Sequence, residues 1–248
     1  MKKILLSVLI LGAALNVQAA TIKFATEATY PPFESVESSG KIVGYDVDIM
    51  NALCVQMKTQ CTIENAPFDS LIPSLNIGKY DAIIAAMAIT AQRGKVVAFT
   101  NPYYVDTVSI IAKKNSHLKL DLASLKGKTI GVQGDTTFYQ YLKAKYGTAV
   151  KINTYKSQES AFADLANGRV DAVMSDTPLI ATWLKQNSNA NDYVYVGEPI
   201  NDVAYFGVGN GIAVKKTNTK LLAQLNAALV EIKKDGQYQK INQKWFSN

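Results

Sequence analysis

A nine-residue pattern occurs twice in the chain, and it constrains the fold more than any other feature. Residues 75–83 read LNIGKYDAI, and residues 165–173 read LANGRVDAV. Each copy has the signature of a helix that ends at a glycine, followed by a basic residue and an Asp-Ala pair that opens an apolar strand. The repeat therefore predicts two similar α/β units. The alternative is a generic helix-to-strand turn that occurs twice by coincidence.

Strands and helices alternate in the same order around both copies of the repeat. Apolar periodicity predicts the order βαβαβ in residues 22–87 and again in residues 128–174. In the first stretch Asp46 and Asp69 are the expected N-caps of the helices, and the second helix ends at Gly78. This alternation is typical of parallel sheets covered by helices. The predicted fold class is α/β, with two lobes that each contain a parallel sheet.

The C-terminal tail is predicted to return to the first lobe. Residues 219–245 have helical periodicity that is interrupted at Asp235-Gly236, and the second unit is complete by about Val203. A returning tail makes the chain cross between the lobes twice, which gives a two-strand hinge. The expected boundaries are residues 20–107 and 205–248 for lobe 1, and residues 108–204 for lobe 2.

Residues 1–19 are predicted to be a cleavable signal peptide. Lys2 and Lys3 precede an apolar run at residues 4–15, and the small residues around position 19 fit a cleavage site. The run is shorter than the roughly 20 residues that a membrane span requires, which argues against a membrane anchor. No cysteine directly follows the run, so no lipid anchor is expected. The sequence thus predicts a free, soluble and exported protein.

The predicted export bears on the oxidation state of the two cysteines, Cys54 and Cys61. An even pair in an oxidising compartment favours a disulfide, which for so short a loop would contribute about 2–3 kcal/mol. A metal site is not expected, because two cysteines without a nearby histidine do not make a zinc ligand set. The single histidine, His117, lies elsewhere among polar residues.

The charge distribution argues against nucleic acid as a partner. The predicted signal peptide holds two lysines and no acids, so its removal lowers the formal net charge from +6 to +4. The basic residues are scattered, and no basic run contains interleaved aromatic residues. No cofactor-binding loop is present in the sequence either, so no cofactor is expected.

The segments that follow the predicted strands carry the candidate binding residues. In open α/β sheets, ligands bind beyond the carboxyl ends of the strands, and here these ends lie near Glu27, Ala85, Gln133 and Asp176. Arg93 follows the first copy of the repeat, and its planar guanidinium can meet both oxygens of a carboxylate. Asp176 follows the second copy and can bind an ammonium group. The alternatives are a surface arginine and a helix cap.

Further candidates flank these two charges. Thr136 and Thr137 open a helix whose N-terminal amides could also bind a carboxylate, although plain capping is the alternative. Tyr30 and Phe68 could pack against a flat or cationic side chain, with core packing as the alternative. Glu27 adds an anion beside Tyr30 that suits a guanidinium or ammonium group, unless it is simply an exposed acid.

Five segments resemble the periplasmic solute-binding proteins of family 3. They are YPPFE at 30–34, GYDVD at 44–48, FDSLIPSL at 68–75, AFTNPYY at 98–104 and WF at 245–246. The chain is most similar to the arginine-binding and lysine/arginine/ornithine-binding members of polar amino acid ABC transporters. This resemblance covers the whole mature chain. It implies the two-lobe type II periplasmic binding protein fold and a disulfide between the two cysteines.

The resemblance also implies a role for each matched residue. Arg93, assisted by Thr137, matches the position that binds the α-carboxylate of the ligand. Asp176 matches the position that binds its α-ammonium, and Tyr30 and Phe68 match the aromatic pair that flanks the side chain. The remaining positions that the resemblance or the strand ends assign to the ligand are Glu27, Ala85, Ala86, Ala88, Gln133 and Thr136.

Glu27 matches an acidic position that faces the basic end of a cationic ligand. The chain departs from the family pattern at the three alanines, where relatives often carry Ser, Gly or Asp. It departs again at Phe138, where some relatives have Gln. These departures affect the side-chain contacts that discriminate among ligands.

The predicted function is capture of a cationic L-amino acid and its delivery to an ABC transporter permease by a monomeric protein. Arginine is the expected ligand, followed by lysine, ornithine and histidine. An amino-acid-sensing receptor module is one alternative, and a dehydratase-like enzyme on the same fold is another. The sequence argues against an enzyme, because it offers no paired acid and base and no nucleophile beside a histidine.

Overall fold

The computed structural model describes residues 21–247, so the predicted signal peptide at residues 1–19 lies outside the described residues. The strands are β1 (Ile22–Thr26), β2 (Thr29–Tyr30), β3 (Glu34–Val36), β4 (Ile42–Val43), β5 (Cys61–Asn65), β6 (Ala82–Ile83), β7 (Ala98–Phe99), β8 (Val108–Lys113), β9 (Thr129–Gln133), β10 (Lys151–Tyr155), β11 (Ala172–Asp176), β12 (Tyr193–Tyr195) and β13 (Ala213–Val214).

The α-helices alternate with the strands of each sheet. They are α1 (Tyr45–Gln56), α2 (Phe68–Ile77), α3 (Leu122–Leu125), α4 (Thr137–Tyr146), α5 (Gln158–Ala166), α6 (Thr177–Gln186), α7 (Val203–Phe206), α8 (Thr219–Lys234) and α9 (Gln237–Phe246). Within residues 21–247, every helix is too short or too polar to cross a membrane.

Two five-stranded sheets share one topology. The strand order is β5-β1-β6-β13-β7 in the first sheet and β10-β9-β11-β8-β12 in the second. The first three strands of each order run parallel, whereas β13 and β8 run antiparallel to both of their neighbours. The parallel pairing predicted for each βαβαβ unit is confirmed, and the reversed strand, which the sequence did not predict, makes each sheet mixed. In each sheet the reversed strand is the one that the chain forms directly after crossing from the other sheet.

The two copies of the repeat occupy equivalent places in these sheets. Gly78 ends α2 and Gly168 follows α5, both with positive φ, and each turn leads into the third strand of its sheet. Asp81 and Asp171 then each accept a hydrogen bond from a backbone amide of the neighbouring strand, β1 or β9, at 2.9 and 2.8 Å. The repeat thus marks the same join between neighbouring strands in both halves of the molecule.

The chain crosses between the sheets twice, and the two crossings pair with each other. In the first crossing, Tyr103 donates its backbone N–H to Asn210 of the second, and the Asn210 N–H donates to Tyr104, at 2.9 and 2.8 Å. Val108 and Ile200 exchange two backbone hydrogen bonds at 3.0 and 2.7 Å. The predicted lobe boundaries after residues 107 and 204 fall in these crossings, and the division into two moving lobes stays a prediction.

Asp46 is not the N-cap that the sequence predicts for α1. It lies inside the first turn and is fully buried, and Gly44 occupies the cap position. One oxygen of Asp46 accepts hydrogen bonds from the backbone N–H of Ala86 and the hydroxyl of Tyr103, both at 2.7 Å. These partners lie far away in sequence, so the local capping rule could not reveal them.

Two further local predictions are wrong for similar reasons. Pro67 is the N-cap of α2, while Asp69 sits in the first turn and pairs with Lys156 of the second sheet at 3.0 Å. The strand predicted over residues 82–87 pairs only at Ala82–Ile83. Beyond it the backbone turns, and Ala86 adopts a positive φ of 43°.

The tail returns to the first sheet as predicted, because α8 and α9 both pack on α1. Leu225, Leu229 and Ile232 of α8 are buried as expected, and Leu221 takes the place expected for Leu222. The break predicted at residues 235–236 separates α8 from α9. Burial of this apolar stripe fixes the tail on the first lobe's helical face.

The predicted disulfide between Cys54 and Cys61 is present. It joins the last turn of α1 to the first residue of β5, which is the edge strand of the first sheet. The loop it closes is short, so its entropic contribution to stability is modest.

Gly44 offers a test of the packing around the start of α1. Its φ is 146°, and a Cβ at this position would collide with the backbone carbonyl of Phe33. We expect Gly44→Ala to lower the free energy of unfolding by at least ~3 kcal/mol, because backbone strain and a steric clash add. Gly40→Ala is the matched control, since Gly40 has a φ of 82° but open space around it. It should cost only about 1–2 kcal/mol. Equal losses in urea unfolding would contradict the clash.

Candidate functional site

A cavity of about 280 Å³ lies between the two sheets. Every residue that the sequence assigns to ligand binding lines it. These residues are Glu27, Tyr30, Phe68, Ala85, Ala86, Ala88, Arg93, Gln133, Thr136, Thr137 and Asp176. They come from the segments that follow β1, β6, β9 and β11, and from the starts of α2 and α4. The carboxyl ends of parallel strands in two sheets thus meet at one small cavity, as expected for open α/β folds.

Asp176 is the last residue of β11, and its side chain lines the cavity rather than capping α6. It occupies the N-cap position of α6 but makes no side-chain capping bond. The buried carboxylate accepts a hydrogen bond from the Tyr30 hydroxyl at 2.8 Å. Burial raises the pKa of Asp176 to about 7, and the Tyr30 hydroxyl and the Arg93 guanidinium oppose this rise. A carboxylate in this position gains from a cation placed beside it.

Arg93 supplies the positive charge of the cavity. Its guanidinium donates to the carbonyl of Ala88 at 3.1 Å and, across the cleft, to the carbonyl of Asp135 at 3.3 Å. The guanidinium carbon lies 5.4 Å from the centre of the Phe68 ring. Desolvation lowers the pKa of Arg93 to about 10, so the group stays cationic at neutral pH. Among residues 21–247, no ion pair involves Arg93, so its charge is available to an anionic ligand.

Glu27 is a buried acid rather than an exposed one, since only 5% of its surface is accessible. Its carboxylate accepts hydrogen bonds from the Thr29 hydroxyl and, at 3.2 Å, from the side-chain amide of Gln133. Burial raises the pKa of Glu27, while these two hydrogen bonds oppose the rise. The Gln133 contact joins the first sheet to the second. Glu27 therefore presents a fixed acid on the first lobe's side of the cavity.

The aromatic and small residues shape the space between these charges. Tyr30 is buried, with its hydroxyl on Asp176, and Phe68 is half-buried beside Arg93. Ala86 owes its position to the bond between its N–H and Asp46. The alanines after β6 add little side-chain bulk, so ligand contacts in this loop would come mainly from the backbone.

The start of α4 is anchored to the end of β9 by a hydrogen bond from Thr136. Thr136 occupies the N-cap position, but its hydroxyl donates to the carbonyl of Gln133 at 2.7 Å and does not cap the helix. Thr137 is the first residue of the helix and lines the cavity. Phe138 is buried with its ring 6.3 Å from that of Phe206, which makes this wall apolar.

Sequence reasoning missed the part of the wall that the crossings provide. These residues are Val105, Asp106, Val108, Ile200, Asn201, Val203, Phe206, Gly207, Val208, Gly209 and Asn210. They do not follow parallel strands, so the strand-end rule does not select them. Asp106 alone had a detectable signal, because it is the one charged residue in the extended stretch at residues 102–112, which is rich in β-branched and aromatic residues.

The two sheets touch each other across the cavity. Tyr30 of the first lobe meets Asp176 of the second, and Lys156 of the second pairs with Asp69 of the first. The Lys156 side chain is 90% exposed, so that ion pair contributes little, whereas the Tyr30 contact is buried. Side chains from both sides of the cavity are therefore in direct contact, and Tyr30 and Asp176 form a buried hydrogen bond among them.

Comparisons with known proteins place these observations in a family. The model of the bacterial extracellular solute-binding proteins, family 3, matches residues 22–248. The chain is 46% identical to ABC transporter arginine-binding protein 1 of Escherichia coli (strain K12) over 247 residues, which is 99% of each chain. A Salmonella typhimurium periplasmic binding protein, described for its high arginine specificity, superposes with a TM-score of 0.86 at 41% identity, covering 92% of this chain and 100% of that one.

A third similar structure has a different history. It is an ancestral amino-acid-binding protein described as a precursor of cyclohexadienyl dehydratase. It superposes with a TM-score of 0.80 at 30% identity and covers 92% of this chain and 97% of its own. The same fold thus occurs in a protein that binds amino acids and stands at the origin of an enzyme.

The raised pKa of Asp176 predicts that the stability of the ligand-free protein depends on pH. Its folded pKa of about 7 lies above the value of about 4 expected in the unfolded chain. Its contribution to stability is therefore complete below about pH 4 and is lost as the pH rises through about 7. In urea unfolding at about pH 5 and about pH 8, Asp176→Asn should lose less stability than the unmodified protein. The same loss in both proteins would show that Asp176 does not titrate in this range.

Proposed function

Because the chain belongs to the bacterial extracellular solute-binding proteins of family 3, we propose that it is the periplasmic binding protein of an ABC importer and that its ligand is L-arginine. Its fold is the two-lobe type II periplasmic binding protein fold. One observation carries the proposal: a single cavity presents the guanidinium of Arg93 together with the buried carboxylates of Asp176 and Glu27. This charge pattern is complementary to a zwitterion with a cationic side chain.

The amino acid backbone of the ligand would bind between the two lobes. Arg93 can donate two parallel hydrogen bonds to the α-carboxylate, and Thr137 adds a hydroxyl at the start of α4. Asp176 accepts from the α-ammonium, which supplies the cation that its buried carboxylate lacks. Since Arg93 comes from the first lobe and Asp176 from the second, one ligand holds both lobes together.

The side chain of the ligand would lie between Tyr30 and Phe68 and end at Glu27. A planar guanidinium can stack on aromatic faces and form hydrogen bonds to a carboxylate in its own plane. Two similar proteins are described as arginine-binding, which supports arginine over lysine, ornithine and histidine. The shorter or non-planar cations of the other ligands would use the same acid less completely.

Transport would follow from closure of the lobes around the ligand. The closed contact of Tyr30 with Asp176 joins residues that the ligand itself would touch, so binding and closure are coupled. The closed, loaded monomer would then deliver arginine to the membrane permease. The predicted signal peptide and the periplasmic location of similar proteins agree with this role.

An enzyme and a sensor are the competing functions. The similarity to a precursor of a dehydratase is the specific observation that raises the enzyme. We propose binding without chemistry, so arginine incubated with the protein should be recovered unchanged. Import into vesicles that carry the cognate permease separates transport from sensing, since only a transport protein would stimulate uptake.

Calorimetry tests both the ligand and the role of Asp176. Among the L-amino acids, arginine should bind most tightly, with lysine, ornithine or histidine next. Asp176→Ala should weaken arginine binding at least ~100-fold, because a buried ammonium loses its charged partner. Circular dichroism would check that the variant is folded. Near-normal affinity in a folded variant would reject the assignment of Asp176.

Glu27→Gln tests the origin of the preference for a cationic side chain. The variant should lose ~10-fold or more in affinity for arginine while its affinity for glutamine changes less, because only the charged partner of Glu27 is affected. Glu64→Gln on β5 is the matched control, since Glu64 is exposed and lies outside the cavity lining. A tighter binding of glutamine than of arginine by the unmodified protein would contradict the role of Glu27.

A further inference from the structure

Asp106 is a charged group of the cavity wall that the proposed contacts do not use. It lies in the first crossing between the sheets and lines the same cavity as Asp176. One of its carboxylate oxygens is buried and has no hydrogen-bond partner among the described residues. A buried oxygen without a partner is costly, so an unpaired carboxylate that faces a ligand cavity points to a missing cationic or hydrogen-bonding group.

The strand register places Asp106 next to the end of β11. Val108 at the start of β8 is the register partner of Asp176, and the N–H of Thr177 donates to the carbonyl of Thr107 at 2.8 Å. Asp106, the residue before Thr107, therefore lies beside the end of β11 that carries Asp176. The carboxyl groups of Asp106, in the first crossing, and of Asp176, at the end of β11, thus lie at one end of the cavity.

We propose that Asp106 and Asp176 together form the subsite for the α-ammonium of the ligand, and that the entering ammonium displaces one proton from this pair of carboxyl groups. This inference rests on the proposed function and extends it. An ammonium carries three N–H donors, so it can donate to both carboxylates at once. The displaced proton passes to solvent, and no other bond changes.

Electrostatics agree with this arrangement. Burial and the neighbouring charge of Asp176 raise the pKa of Asp106 well above its usual value. Two acids in one poorly solvated site disfavour each other's ionisation, so the pair binds a proton more readily than either acid alone would. The other titratable groups that act on this pair are Tyr30, Glu34, Asp46, Arg93 and Tyr104. Of these only Arg93 is a cation.

The consequence is proton-linked binding. A ligand that displaces a proton binds more weakly as the pH falls, by up to roughly tenfold per pH unit for one proton. Glu27 also has a raised pKa, so a ligand without the α-ammonium is needed to separate the two ends of the cavity. 5-Guanidinopentanoic acid provides this separation, since it keeps the guanidinium and the carboxylate of arginine but lacks the ammonium.

The test is calorimetry at about pH 7 in two buffers of different ionisation enthalpy, which gives the number of protons released on binding. Arginine should release more protons from the unmodified protein than 5-guanidinopentanoic acid does. Asp106→Asn should reduce the release with arginine and leave that with 5-guanidinopentanoic acid unchanged. Asp192→Asn is the matched control, because Asp192 is exposed and lies outside the cavity lining. It should behave like the unmodified protein.

Three results would overturn the inference. Equal proton release with arginine and with 5-guanidinopentanoic acid would exclude the ammonium as the trigger. Equal release by the unmodified protein and Asp106→Asn would exclude Asp106. If that variant fails to fold, equal proton release with the two ligands on the unmodified protein would still overturn the inference, because the ammonium would then displace no proton. Failure of the unmodified protein to bind arginine at all would instead reject the proposed function.

Discussion

The buried carboxylate of Asp46 is the interaction on which the rest of the structure depends. It connects α1, the loop after β6 and the first crossing, through the N–H of Ala86 and the hydroxyl of Tyr103. Glu34 lies against it, and burial together with the charge of Asp46 raises the pKa of Glu34 well above its usual value. Burial raises the pKa of Asp46 to about 6, and the Ala86 N–H, the Tyr103 hydroxyl and Glu34 oppose that rise, so hydrogen bonds from distant segments make this buried acid tolerable. The loop that carries the alanines of the cavity is positioned by this group.

The same cluster reaches the hinge. Tyr103 lies in the first crossing, and its carbonyl accepts hydrogen bonds from the hydroxyls of Tyr45 on α1 and Tyr238 on α9, at 3.1 and 2.7 Å. The first lobe therefore holds the base of this crossing with hydrogen bonds from two helices. Across the cavity, the hydrogen bonds between the lobes come from Tyr30, Gln133 and Arg93. Because these side chains also line the cavity, a bound ligand can bias whether the lobes stay together.

Sequence reasoning succeeded where the signal is local. The alternation of strands and helices, the glycine ends of the repeat and the strand-end positions of Arg93 and Asp176 all follow from short patterns, and the structure brings those residues to one cavity. It failed where distant segments decide. Asp46 looks like a helix cap until Ala86 and Tyr103 are near it. The reversed strands β8 and β13 depend on the path of the crossings, which no local periodicity encodes. The part of the cavity wall that the crossings provide was missed for the same reason.

The placement of β13 has a consequence for how the molecule is assembled. The second sheet uses only strands between residues 108 and 195, so it is complete while the C-terminal part of the chain is still missing. The first sheet needs β13 at residues 213–214 to join β6 to β7. A chain that emerges from its N-terminus therefore finishes its second lobe before its first. The first sheet is thus the part of the fold that depends on residues from both ends of the chain.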